Sequence, residues 1–144
     1  MRTLRAFLVV VVGLAFVAAA CGSGGESKAD IQAKVKANWE KFFDPAAPTQ
    51  QKAALLENAS TPKIKAIVAA EANDPQAKSI KASVKTVTPK GGDKADVKYD
   101  LVSAQTGVPI LQNSAGLSVK QDGTWKVSQQ TFCGLLALGG GPKC

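Results

Sequence analysis

Apolar residues change their spacing twice along this chain, and the changes mark its parts. Residues 6–17 form an almost unbroken apolar run behind a basic start that includes Arg2 and Arg5. From residue 31 the spacing becomes helical. Ile31, Val35, Trp39, Phe42 and Phe43 share one face, while Lys34, Lys36, Glu40 and Lys41 fall largely elsewhere. Asp30 is the expected N-cap and Asp44-Pro45 the stop. Thr49 is positioned to cap a short second helix over 50–57, with Ala53, Leu55 and Leu56 apolar. Thr61-Pro62, a capping residue followed by proline at the first helical position, opens a third over 62–71 that turns Ile64, Ile67 and Val68 inward.

After Asn73-Asp74-Pro75 the period drops to two. Ile80, Ala82, Val84 and Thr86 alternate with Lys81, Ser83 and Lys85. Beyond the Gly91-Gly92-Asp93 turn, Ala95, Val97, Tyr99 and Leu101 alternate with Asp96, Lys98 and Asp100. These are two antiparallel strands with one apolar and one charged face. A third strand is expected over 108–119, with a bulge near 113–116 where the alternation breaks. Asp122-Gly123 then turns into a last strand through Trp125 and Val127, ending near Phe132-Cys133, and the tail after Gly134 is apolar and then glycine-rich. Helices followed by an antiparallel meander predict an α+β class: one domain, residues 30–144, with N-terminal helices packed on a curved antiparallel sheet.

The first apolar run is a leader. At about a dozen residues it falls short of the roughly 20 that a spanning helix needs. It ends in Val17-Ala18-Ala19-Ala20-Cys21-Gly22, where a cysteine directly follows small residues. That is the form of a bacterial lipoprotein signal: residues 1–20 are removed and Cys21 carries the lipid. Ala18-x-Ala20 also satisfies the rule for an ordinary secretory signal, so free secretion is the alternative. Residues 21–29 then serve as lipidated cysteine and flexible tether, reaching about 15 Å. The expected location is the extracytoplasmic face of the cell membrane, with the membrane as partner through the lipid anchor.

Charge and cysteine content narrow the function. Without Arg2 and Arg5 the chain keeps 16 lysines against 11 acidic residues, a net charge of +5, and no arginine at all. Nucleic-acid recognition favours the guanidinium fork, so no nucleic-acid partner is expected. The lysines read as a solubilising surface, or as attraction to anionic headgroups. There are three cysteines. With Cys21 lipidated, Cys133 and Cys144 remain as a disulfide pair in an oxidising compartment, contributing about 3 kcal/mol. With no histidine and no second cysteine pair, neither a metal nor another cofactor is expected.

Three stretches carry a family resemblance. They are Ala37-Asn38-Trp39-Glu40-Lys41-Phe42-Phe43-Asp44, then Ala54-Leu55-Leu56-Glu57-Asn58, and finally Gly123-Thr124-Trp125-Lys126-Val127-Ser128 continuing to Thr131-Phe132-Cys133-Gly134-Leu135-Leu136. In this order they resemble the low-molecular-weight secreted antigen family of mycobacteria and relatives, over essentially all of 30–144. The resemblance implies a cone-shaped domain similar to nuclear-transport-factor-like, ketosteroid-isomerase-like and cystatin-like folds. It also implies an exported, immunogenic protein with no established biochemical activity. Cys21 at the cleavage site departs from the secreted members and favours anchoring.

A cone of that kind often encloses a pocket between its first helix and the sheet. Trp39 and Phe43 from the helix, with Tyr99, Leu101, Leu117 and Trp125 from the strands, are the candidate lining. They either fill the core or surround a small apolar or lipid ligand. No catalytic residue is expected. By alternation Asp96 and Asp100 lie on the charged face, leaving only Tyr99 to enter the cone. The sequence therefore predicts a non-catalytic surface or interaction protein, with ligand binding as the alternative.

Overall fold

The computed structural model describes residues 25–144; the leader and Cys21 lie outside the described residues. The first helix, α1, spans Lys28–Phe42 and is capped by Ser27 rather than Asp30. Both residue types cap well, but Asp30 lies one turn in. The Ser27 hydroxyl accepts from the Asp30 backbone N–H at 3.1 Å and donates to the Asp30 carboxylate at 2.6 Å. An acidic group there also suits the positive end of the helix. The folded unit thus starts before residue 30.

Helix α2, Thr49–Ala54, is shorter than its apolar spacing predicts. Leu55 and Leu56 leave the helix because a strand claims their backbone. The Val127 N–H donates to the Leu55 carbonyl at 2.8 Å, and the Glu57 N–H to the Val127 carbonyl at 2.9 Å. Helix α3 runs Pro62–Glu71 with Thr61 as N-cap and proline in its first turn, and it buries Ile64, Ile67 and Val68.

Four strands follow in sequence order: β1 Ile80–Gly91, β2 Lys94–Ser103, β3 Pro109–Gln121 and β4 Thr124–Val127. Together they make a curled antiparallel sheet, a half-barrel under the helices, which is the α+β cone arrangement. In β2, Ala95, Val97, Tyr99 and Leu101 all face inward. In β1 the inward alternation stops at Val84. A bulge between Val84 and Thr86 shifts the register by one, so Thr86 is exposed and Val87 buried. The expected bulge in β3 lies at Gln112 and Asn113, between the pairs Tyr99↔Ser114 and Leu101↔Leu111. Asn113 takes φ 53° there and donates its N–H to Asp100 Oδ1 at 2.8 Å. Asp122 and Gly123, both at positive φ, make the two-residue turn into β4.

The C-terminal region differs from the strand expected through Cys133. β4 ends at Val127, and residues Gln129–Leu138 form a fourth helix, α4. Ser128 caps it, accepting from the Thr131 N–H at 3.1 Å, and Phe132 and Leu136 are buried at helical spacing. Cys133 and Cys144 form a disulfide with Cα atoms 5.7 Å apart. The tail therefore folds onto α4. The Gly141 N–H meets the Leu136 carbonyl at 2.8 Å, and Lys63 of α3 donates to the Cys144 carbonyl.

Helix α1 lies along β1 and runs against it. Gln32 Nε2 donates to the Val87 carbonyl at 2.9 Å and Lys36 Nζ to that of Val84 at 3.1 Å, while Glu40 accepts from the Val84 N–H at 3.2 Å. The chain therefore enters beside the β1–β2 hairpin, and α1 delivers Phe42 and Phe43 to the opposite end of the sheet.

Glu26 fixes that entry point. Its carboxylate accepts from Lys120 Nζ at 2.8 Å and Trp125 Nε1 at 2.9 Å, and it pairs with Lys34. Lys120 foremost, then Lys34 and Trp125, pull the Glu26 carboxyl from its ordinary 4.5 down to about 2. A depressed carboxylate stabilises the fold fully above the unfolded value and loses that contribution as pH falls toward the folded one. Glu26→Gln should therefore melt below the wild type at pH 6, with the gap closing as pH drops from 4.5 toward 2. A gap independent of pH in thermal melts would show that the charge does not hold this entry point.

Candidate functional site

The interior of the cone is packed. Trp39 is fully buried, with its ring 4.9 Å from that of Tyr99, on which Phe43 stacks at 6.3 Å and 20°. The far edge of Trp39 occupies the space a side chain on β3 would need. A Cβ on Gly116 would lie 2.4 Å from Trp39 Cη2 and 3.1 Å from Tyr99 Cε1. Glycine at 116 is what lets the indole close this part of the cone. Trp125 is also buried, its indole N–H spent on Glu26.

Open space lies at the other end, away from the hairpin. The C-terminus of α1, helices α2, α3 and α4, and the starts of β1 and β3 leave a cleft of about 410 Å³. Phe43, Val68, Leu101, Leu111, Phe132 and Leu135 form its apolar walls. Lys52, Glu71 and Asp74 lie on its polar rim, and Gly139 and Gly141 bring the tail to its edge. Ile110 and Leu138 also line it while 57% and 76% exposed; with Val108, 60% exposed, they are the large apolar side chains left in solvent among the described residues.

The six residues expected to line a pocket are thus divided. Phe43 and Leu101 are on the cleft wall. Tyr99 and Leu117 border an adjoining, more open depression between β3 and α4, which shares Leu111, Leu135 and Leu138 with the cleft. Trp39 and Trp125 are in the packed interior. Much of the cleft wall comes from α4, where the reading of a continuing strand hid a helical face. The signal was present: Ser128 before a polar pair, then Phe132, Leu135 and Leu136 three and four residues apart.

Two of the rim charges, Lys52 and Glu71, are displaced toward neutrality. Burial lowers the Lys52 ammonium below the ordinary lysine range, with Lys78 adding to the effect and Asp44 opposing it. Burial first, and Asp74 second, raise the Glu71 carboxyl. Two carboxylates on the charged face of the sheet are committed to partners. Asp100 is held low by the Asn113 N–H and by Lys85, 3.2 Å away, and Asp96 pairs with Lys90 at 3.1 Å. Burial pushes the Tyr99 phenol up to about 12, far from the range useful for proton transfer near neutral pH.

Among the described residues no three His, Cys, Asp or Glu side chains gather as a metal site, and no helix is long and apolar enough to cross a membrane. No individually curated protein matches the chain. The family described as low molecular weight antigen MTB12, C-terminal domain, matches residues 28–143, which is the unit from α1 to the disulfide-held tail, and the chain belongs to that family.

Proposed function

We propose that this chain is an exported, non-catalytic binding domain, held at the outer face of the cell membrane through an acylated Cys21, whose cleft takes a small apolar ligand. The observation that carries the binding role is the cleft itself. Its volume of about 410 Å³ falls within the range of about 300–1,000 Å³ usual for ligand pockets, and its walls are predominantly apolar. A non-catalytic role is supported by the high-lying, buried Tyr99 phenol and by the outward ion pairs of Asp96 and Asp100. Anchoring rests on the leader and Cys21, since two or more acyl chains suffice for stable membrane attachment.

Each half has its own test. The intact mass of the mature N-terminus should show lipid on Cys21; a soluble protein with an unmodified N-terminus removes the anchor. For the cleft, dodecanol should raise the melting temperature by binding only the folded state, adding about 2.7 kcal/mol at a hundredfold excess over its Kd. Melting is the right readout because neither tryptophan lines the cleft. Leu135→Trp, which fills one wall from the half-buried face of α4, should abolish the shift while the protein stays folded. A wild-type protein indifferent to dodecanol rules out the ligand.

A second reading has its own support. The exposed Ile110 and Leu138 at the lip of the cleft, with Val108 also in solvent, support a surface-interaction protein and antigen, in which that lip contacts another protein. A flat ligand response together with loss of partner binding in Ile110→Ser would favour it.

A further inference from the structure

The mouth of the cleft has two chemically unlike sides. Lys52 of α2 lines the cleft half-buried, and among the described residues its ammonium has neither an ion pair nor a hydrogen-bond acceptor. Other lysines of the chain do find partners, as Lys34, Lys85, Lys90 and Lys120 do. A partly desolvated cation with no ion-pair partner is unfavourable; burial lowers its proton affinity, and the more distant Asp44 offsets this only in part. Facing solvent nearby are the apolar lip residues Ile110 and Leu138.

Resting on the cleft reading above, we infer that the ligand is a single-chain amphiphile with an anionic head: the tail lies between α3, α4 and the sheet, and the head pairs with Lys52 at the mouth. The inner end of the cone is blocked by Trp39 against Gly116, so the head stays outside while the tail is covered. The volume lies toward the lower end of the usual range, which favours one chain over two. Glu71 and Asp74 share the rim and repel an anion from the α3 side, which directs the head toward α2, where Lys78 adds positive charge and Asp44 subtracts some. The net +5 beyond the leader favours anion encounter as well.

A series with one tail and different heads tests this: dodecanoate, dodecyl phosphate, dodecanol and dodecyltrimethylammonium, titrated at pH 8 by calorimetry. At least one anion should bind roughly tenfold more tightly than dodecanol, as expected for a charge-assisted hydrogen bond at a partly buried site. The cation should bind weakest. Comparison of the two anions shows whether the head is a carboxylate or a phosphate. Lys52→Met should remove the anion's advantage over dodecanol, while Lys52→Arg should keep it, which separates charge from fold. Equal binding of anion and alcohol, or preference for the cation, overturns the head assignment and leaves the cleft standing. Absence of binding by all four overturns both.

Discussion

Trp39→Ala should cost roughly 3–5 kcal/mol of stability, measured by urea unfolding, and is expected to be the most damaging single substitution in the core. The indole is wholly buried, packs on Tyr99 and Phe43, and fills the place where β3 offers only Gly116. Removing it leaves a cavity that neighbours on a sheet cannot collapse to fill. Trp39→Phe should cost much less. Among the described residues the Trp39 Nε1–H is buried with no acceptor, so losing it recovers a desolvation cost of about 1–3 kcal/mol against the lost ring volume. If Trp39→Ala costs under about 1 kcal/mol, the cone is not packed as described.

The double replacement Cys133→Ser, Cys144→Ser should lower stability by about 3 kcal/mol, or somewhat less, with the fold retained. The bridge closes a short loop, 11 residues in sequence separation, whose freedom in the unfolded chain is otherwise large. Its effect should reach the cleft too, because the tail it holds brings Gly139 and Gly141 to the cleft edge. The variant should therefore bind dodecanol more weakly even where it is fully folded. Guanidinium unfolding and calorimetry measure the two effects separately. A thiol at Cys133 that alkylates in the native, unreduced protein would contradict the bridge.

Clean periodicity made much of this fold legible. Helix α3 runs where Thr61-Pro62 and its apolar face put it, and β2 keeps strict alternation because both its neighbours pair with it. Irregular places were opaque. The shift from Thr86 to Val87 comes from a bulge, and a bulge in an alternating run leaves no mark when threonine and valine sit side by side. Helix α4 was hidden because Trp125 and Val127 had just established a period of two, and the next apolar residues read as its continuation. The disulfide followed from the cysteine count once Cys21 was set aside for the lipid.

The cleft could not be read, because it is assembled from segments far apart in the chain. Large aromatics suggested a pocket around Trp39 and Trp125, but pocket and packed core call for the same residues. What separates them in this chain is the missing side chain at Gly116. Lys52 is likewise one lysine among 16 until α2 sets it at the rim.

Glu26 ties the entering chain to Lys120 and Trp125 at one end of the sheet, and the cleft opens at the other. Ten residues of β2 separate the two ends, about 30 Å of strand. Tension applied through the N-terminus is therefore borne at the foot of the domain, with the mouth at its crown. A surface that holds the protein by this foot lies on the far side of the packed core from the mouth. The mouth of the cleft and the point where the chain enters therefore lie at opposite ends of the packed core.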